Sequence, residues 1–294
     1  MSTRPIGPAS THAIPPLLVR LLDDAAVFPP GSATVRAAVG DHRRYREAWY
    51  ADLVGALLLP ATSLAEAAGH LTDGERLEIG VVADVPLDRL DRYVRGVDPR
   101  LVVRQVEAPV ARRGENPQEG LDILLPLCAA WAPVDVYAEV PLTGGLLGAL
   151  DRIAVQREAG ARIAPKFRTG GLAAELFPTP MELAAIICAC QDRGLTFKLT
   201  AGLHRALRHN DPETGFTHHG FLNVLAASMS AAAGAEVVDV CELLAATDPL
   251  PLIEATRPRR GQPRPLWIGF GSCSVTEPLD DLRGLGLIGA AVSA

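Results

Sequence analysis

Lys166 and Lys198 are the only two lysines in this 294-residue chain, and both lie inside apolar runs. The other 26 of its 28 basic residues are arginine, and it has three asparagines. A chain that writes arginine wherever a cation will do, yet keeps lysine at two places, points to a need for an amine that can lose its proton. Such an amine can form a Schiff base with a carbonyl compound or act as a general base. The segments Ala164-Pro165-Lys166-Phe167-Arg168 and Phe197-Lys198-Leu199-Thr200 read as strands. Strand side chains alternate between faces. If Phe167, Phe197 and Leu199 face helices, then Lys166, Arg168, Lys198 and Thr200 point the other way, together.

Eight β-like runs carry these residues and others like them: 19–28, 54–60, 77–84, 101–108, 135–140, 162–168, 196–201 and 266–272. Helix-like stretches such as Ser63–Leu71, Leu87–Val94, Gly120–Trp131 and Leu147–Arg157 separate them. Strand–helix alternation without a long linker predicts parallel βαβ units. Eight such units predict an α/β fold, a single (β/α)8 TIM barrel over residues 17–294, with 1–16 as a loose extension. The best-defined helix follows the sixth strand. Thr179 is its N-cap, Pro180 its first residue, Glu182 completes a capping box and Gly194 ends it. Its Cys188 and Cys190 read as small core residues.

In a barrel the catalytic loops lie at the carboxyl ends of the strands. There the alternation places Glu107 and Glu139 on strands four and five, Asp84 on strand three, and Asp23 or Asp24 on strand one. So many charges in one interior are costly unless paired, which marks a site. The structural alternative is a set of internal ion pairs, Lys166 with Glu139 and Lys198 with Glu107. Arg168-Thr169-Gly170-Gly171 and Gly269-Phe270-Gly271-Ser272-Cys273-Ser274 end strands six and eight. Their glycines allow backbone N–H groups to approach a phosphate or carboxylate. His204 follows strand seven, and His218, His219 and Asn223 lie where the next helix begins. The histidines are candidate acid–base groups, and His219 and Asn223 are candidate substrate contacts. The polar interval Arg205–Thr217 reads as a substrate loop. Cys273 reads as a nucleophile or, more simply, as a buried thiol.

Composition excludes several classes. A net charge of −6 with no basic run argues against nucleic acid. No apolar run approaches the ~20 residues of a membrane span, and residues 1–16 lack the apolar centre of a signal peptide. Five cysteines without a CxxC pair make neither a zinc site nor a disulfide framework, which fits a cytoplasmic protein. A metal held by His204 and His219 with Glu107 or Asp24 is an alternative without HxH or HExxH spacing behind it. No cofactor is therefore expected. The expected partner is a small anionic metabolite, and self-association is left open.

Lys166-Phe167-Arg168-Thr169-Gly170 has the Lys-x-x-Thr-Gly form that surrounds the Schiff-base lysine of class I, deoxyribose-phosphate aldolase-like barrels. Lys198-Leu199-Thr200-Ala201-Gly202 loosely resembles that family's Lys-x-Ser-Gly-Gly, and Phe270-Gly271-Ser272-Cys273-Ser274 resembles its phosphate loop, Phe-Gly-x-Ser-Ser. The resemblance spans about a third of the chain in short patterns. The family's aspartate in the middle strands has no clear counterpart, and the three histidines are foreign to it. The phrases Lys-Phe-Arg-Thr-Gly-Gly, Thr-Ala-Gly-Leu-His and His-Gly-Phe-Leu-Asn also look like a group of bacterial proteins of unassigned function.

The resemblance implies a lyase of aldolase type. Lys166 would form the Schiff base and Lys198 would lower its pKa as a like charge. Glu139 or His204 would move protons, while Arg168 and the glycine loops hold the anion. The alternatives are a non-covalent enzyme (an isomerase, a dehydratase or a metal-assisted lyase) and a non-catalytic metabolite-binding barrel.

Overall fold

The structure, a computed structural model, describes residues 14–289. Eight strands pair in parallel all the way round: β1 (Leu22–Asp24), β2 (Val54–Pro60), β3 (Leu77–Val82), β4 (Leu101–Pro109), β5 (Asp135–Glu139), β6 (Ile163–Arg168), β7 (Phe197–Thr200) and the last, β10 (Trp267–Ser272). β10 lies between β7 and β1, which closes the barrel. The expected (β/α)8 architecture is the observed one, and each predicted run falls on one barrel strand, with β4 extending one residue further, to Pro109.

Helices α1 (Val35–Glu47), α2 (Leu64–Gly69), α3 (Leu87–Arg95), α4 (Pro117–Ala130), α5 (Leu146–Glu158) and α6 (Pro180–Asp192) follow the first six strands. α6 begins as its sequence predicts: Thr179 Oγ1 accepts from the Glu182 N–H at 3.2 Å, and Glu182 accepts the Thr179 N–H at 2.7 Å. Cys190 is buried and Cys188 half-buried against the core. The seventh crossover is the elaborate one. It holds a hairpin, β8 (His209–Asn210) with β9 (Thr217–His218), then α7 (Phe221–Ala232), α8 (Val237–Ala245) and α9 (Pro249–Thr256). α7 is buried without a break from Phe221 to Met229 because α8 and α9 pack over it. α10 (Thr276–Gly284) ends the circuit. No described helix is long and apolar enough to cross a membrane.

The apolar core lies between strands and helices, where Leu57, Ile79, Val106, Val136, Phe167, Phe197 and Leu199 are buried. Burial at ~25 cal/mol per Å² of apolar surface holds the helices to the barrel wall. The core begins earlier than expected, for Ile14 is 2% exposed. Residues 1–13 of the expected extension lie outside the described residues. Near β10 the wall needs glycine. A Cβ on Gly269, which has φ +149°, would fall 2.6 Å from the Leu21 carbonyl oxygen.

Candidate active site

The alternation that buries Phe167, Phe197 and Leu199 outside the wall turns Lys166 and Lys198 into the interior, and the two are direct register partners. Their surroundings are carboxylates. Lys166 Nζ lies 2.7 Å from Glu107 Oε2 and 2.8 Å from Glu139 Oε2. Lys198 Nζ lies 2.6 Å from Glu107 Oε1 and also pairs with Asp23 Oδ2. Glu107 thus holds one amine with each oxygen. At the rim, Arg168 Nε donates to Glu139 Oε1 at 3.1 Å. On the far side Gln105 Nε2 donates to Asp23 Oδ2 at 2.8 Å, and Asp23 Oδ1 accepts the Ala56 N–H at 2.9 Å. Lys198 also stands 4.7 Å from the centroid of the Tyr137 ring.

The chain of contacts runs Arg168–Glu139–Lys166–Glu107–Lys198–Asp23. Three cations face three carboxylates, so the cluster is neutral. Pairing of this kind is what makes buried charges tolerable. Lys166, Lys198 and Glu107 are all nearly inaccessible, whereas the Glu139 side chain keeps 17% exposure and Arg168 44%. Burial pushes the Glu107 carboxyl up, but the two ammonium groups outweigh it and hold it at about 2. Glu139 is held below the usual carboxylate range by Lys166 and Arg168 against the same burial. Both lysines are raised above their ordinary value, because their carboxylate partners outweigh desolvation. The expectation that Lys198 depresses Lys166 is therefore overturned. Glu107 stands between the two amines and screens the like charges.

Several expected site residues are placed and employed otherwise. The Thr169 hydroxyl donates to the Ala201 carbonyl at 2.6 Å, and Gly170 packs so closely on Gly202 that a Cβ would meet its Cα at 2.7 Å. This turn hooks β6 to β7. Gly171 lies under Leu176. Gly271 belongs to the wall of β10, beside Leu58, and Ser272 Oγ donates to the Ser274 carbonyl at 2.6 Å. Glu277 occupies the first turn of α10, where an anion would meet a like charge. The expected strand-eight residues Gly271 and Ser272 are thus engaged within the wall and its own loop. Asn223 is engaged by backbone on three sides: its Nδ2 donates to Leu243 and Ala246 carbonyls at 2.8 and 2.7 Å, and its Oδ1 accepts the Arg208 N–H. His219, 1% exposed, joins the Pro178 carbonyl at 2.7 Å through Nε2, and burial lowers its pKa to about 4. The Asn223 side chain is thus engaged by backbone groups, and His219 is anchored to backbone through Nε2.

His204 stands at the rim of the barrel away from the lysine cluster. Its Nδ1 is 3.6 Å from Cys273 Sγ and 3.8 Å from Glu277 Oε2. Cys273 is half-buried, and burial and Glu277 push its thiol up. The interval Arg205–Thr217 is more ordered than its composition suggests. It forms the β8–β9 hairpin, whose Phe216 and His218 rings lie 4.7 and 4.9 Å from Phe177. Asp84 falls just beyond β3 and ties Thr62 Oγ1 and N–H across the β2 loop. Of the strand-one pair, Asp23 enters the barrel and Asp24 turns out to His42 Nδ1, 3.0 Å away. The proposed metal ligands are thus dispersed, and no described group of three or more His, Cys, Asp or Glu is arranged to hold a metal ion.

Gln105 and Tyr137 were not anticipated. The signal was present, since each precedes an inward glutamate by two residues, on the same face of its strand. A separate groove of about 550 Å³ between the β3 and β4 loops is lined by Asp88, Glu115 and Glu119 and contains neither lysine.

No family model matches the chain, and no curated protein matches it either. What stands is a barrel of a kind that commonly carries enzymes, with a buried charged cluster in its interior that reaches the carboxyl ends of β5 and β6 at Glu139 and Arg168.

Proposed function

We propose that the barrel is a Schiff-base enzyme, a lyase of aldolase type, acting on a small anionic carbonyl compound through Lys166. One observation carries this reading: the Lys166 amine has a carboxylate on each of two sides, at 2.7 and 2.8 Å. Condensing an ammonium with a carbonyl gives an iminium and water, so nitrogen must lose two protons and the carbonyl oxygen must gain two. Glu107 and Glu139 are the two carboxyl groups within reach to take up and give back protons. Lys198 holds Glu107 in place from its other oxygen, and the iminium then serves as the electron sink for C–C cleavage or proton removal.

Arg168 is the anion contact, because it is the exposed cation of the cluster and offers a guanidinium fork to a carboxylate or phosphate. Thr200 is its register partner on β7. A Glu107 carboxylate also supplies a middle-strand acid group at the lysines, the element for which the aldolase-like resemblance offered no sequence counterpart. Borohydride reduction with a panel of small keto acids and phosphorylated aldehydes tests the proposal. An adduct on Lys166, lost in Lys166→Arg, is expected; no adduct with any carbonyl removes it.

A non-covalent reading has one observation of its own, the raised pKa of both amines. In that reading the two ammonium groups stabilise an enolate, with Glu139 as base. Turnover that survives Lys166→Arg would select it.

A further inference from the structure

The cluster is neutral before any ligand arrives, and this constrains how an anion can enter. Asp23, Glu107 and Glu139 already balance Lys166, Lys198 and Arg168. A bound anion leaves an unbalanced negative charge against a buried network, which is unfavourable in a low dielectric.

Resting on the proposed anionic substrate, we infer that the site takes up its anion together with a proton, and that the proton goes to Glu139. Glu107 cannot serve in the resting site, because each of its oxygens is held by an ammonium group. Asp23 is held by Lys198, Gln105 and the Ala56 N–H. Glu139 is the one of the three at the rim beside Arg168, and the most exposed, with 17% of its side chain in solvent against 11% for Asp23 and 2% for Glu107. The groups that face it are Lys166 and Arg168 from β6 and Glu107 from β4. An anion on the Arg168 guanidinium takes away one of its two cationic partners and adds a like charge beside it. Both changes favour the acid form.

The proton comes from solvent and makes an O–H bond on the Glu139 carboxyl. It is placed for use. Lys166 attacks as the amine after passing one ammonium proton to Glu107, and a second N–H proton moves to the carbonyl oxygen to give the carbinolamine. When that hydroxyl departs, its C–O bond breaks with the electron pair going to oxygen, the nitrogen lone pair forms C=N, and Glu139 gives its proton to make water, which leaves the proton from Lys166 on Glu107. Glu139 is then a carboxylate again, next to Nζ. The uptake of substrate thus charges Glu139 as the acid that assists departure of the hydroxyl.

Sulfate, which does not itself titrate near neutral pH, is the probe. Its affinity for the full-length protein is measured by calorimetry between roughly pH 6 and pH 8. One linked proton makes affinity fall by up to about tenfold per pH unit. The slope should vanish in Glu139→Gln, and binding should weaken in Arg168→Gln at every pH, with thermal melts verifying that both variants fold. A flat wild-type profile overturns the inference without recourse to any variant. So does a slope that persists in Glu139→Gln, the absence of sulfate binding, or binding indifferent to Arg168→Gln. None of these measurements contains a carbonyl compound. A trapped imine with a flat sulfate profile removes the coupling alone, while a sloped profile with no imine removes the covalent reading alone.

Discussion

Replacing Glu107 with glutamine keeps the side-chain shape and removes the charge that joins the two lysines. Its carboxyl is held at about 2, against an ordinary 4.5. At ~1.4 kcal/mol per pKa unit, that depression corresponds to roughly 3 kcal/mol of stability at neutral pH. Removing one partner of a buried ion pair costs about 3–5 kcal/mol. The lower end applies, since Lys166 keeps Glu139 and Lys198 keeps Asp23. A domain of this size loses ~2–4 °C of melting midpoint per kcal/mol, so Glu107→Gln should melt roughly 6–12 °C below wild type at pH 7. The sign of the pH dependence follows from the depressed pKa. The stabilisation is fully present above 4.5 and is lost as pH falls from there toward about 2. Calorimetric melts at descending pH should therefore show the two proteins converging in acid. A variant as stable as wild type at pH 7, or a gap that does not narrow in acid, would refute the electrostatic account of the cluster.

Three further substitutions bear on the surroundings. His219, whose pKa burial lowers from 6.5 to about 4, stabilises the fold fully above 6.5 and loses that contribution as pH falls toward 4; His219→Gln should abolish this part of the acid dependence in urea titrations. Gly170→Ala should destabilise by about 1–3 kcal/mol through overpacking on Gly202, seen as a lower urea midpoint. Asn223→Ala leaves the Leu243 and Ala246 carbonyls without their donor and should lose about 1–3 kcal/mol, while sulfate affinity of the folded variant stays unchanged.

Much of the fold was legible because a barrel repeats one local rule eight times. Strand periodicity alone sent Lys166, Lys198, Glu107 and Glu139 to one interior, and Thr179 with Glu182 wrote the start of α6 outright. The polar loops were less legible. Thr169, Ser272 and Asn223 look like ligand contacts in a sequence, yet their side-chain hydrogen bonds go to backbone groups. A hydroxyl or amide bonds to a carbonyl of its own chain as readily as to a substrate. The choice between Asp23 and Asp24 needed the register of a three-residue strand. The extra helices α8 and α9 were hidden because α7, which they cover, is apolar on all sides and gives no amphipathic pattern. Nor could spacing reveal that Glu107 comes between the lysines, a long-range contact that sets their pKa values upward.

Having two lysines makes the central claim directly measurable. In protein labelled with ¹⁵N at lysine Nζ, two side-chain signals report the two amines, assigned with Lys166→Arg. In the empty barrel both should read as ammonium, as their carboxylate partners dictate. On adding a carbonyl compound that the protein processes, the Lys166 signal should move to the imine region while Lys198 remains ammonium. Two signals that stay ammonium throughout turnover, or an imine on Lys198, would contradict the account.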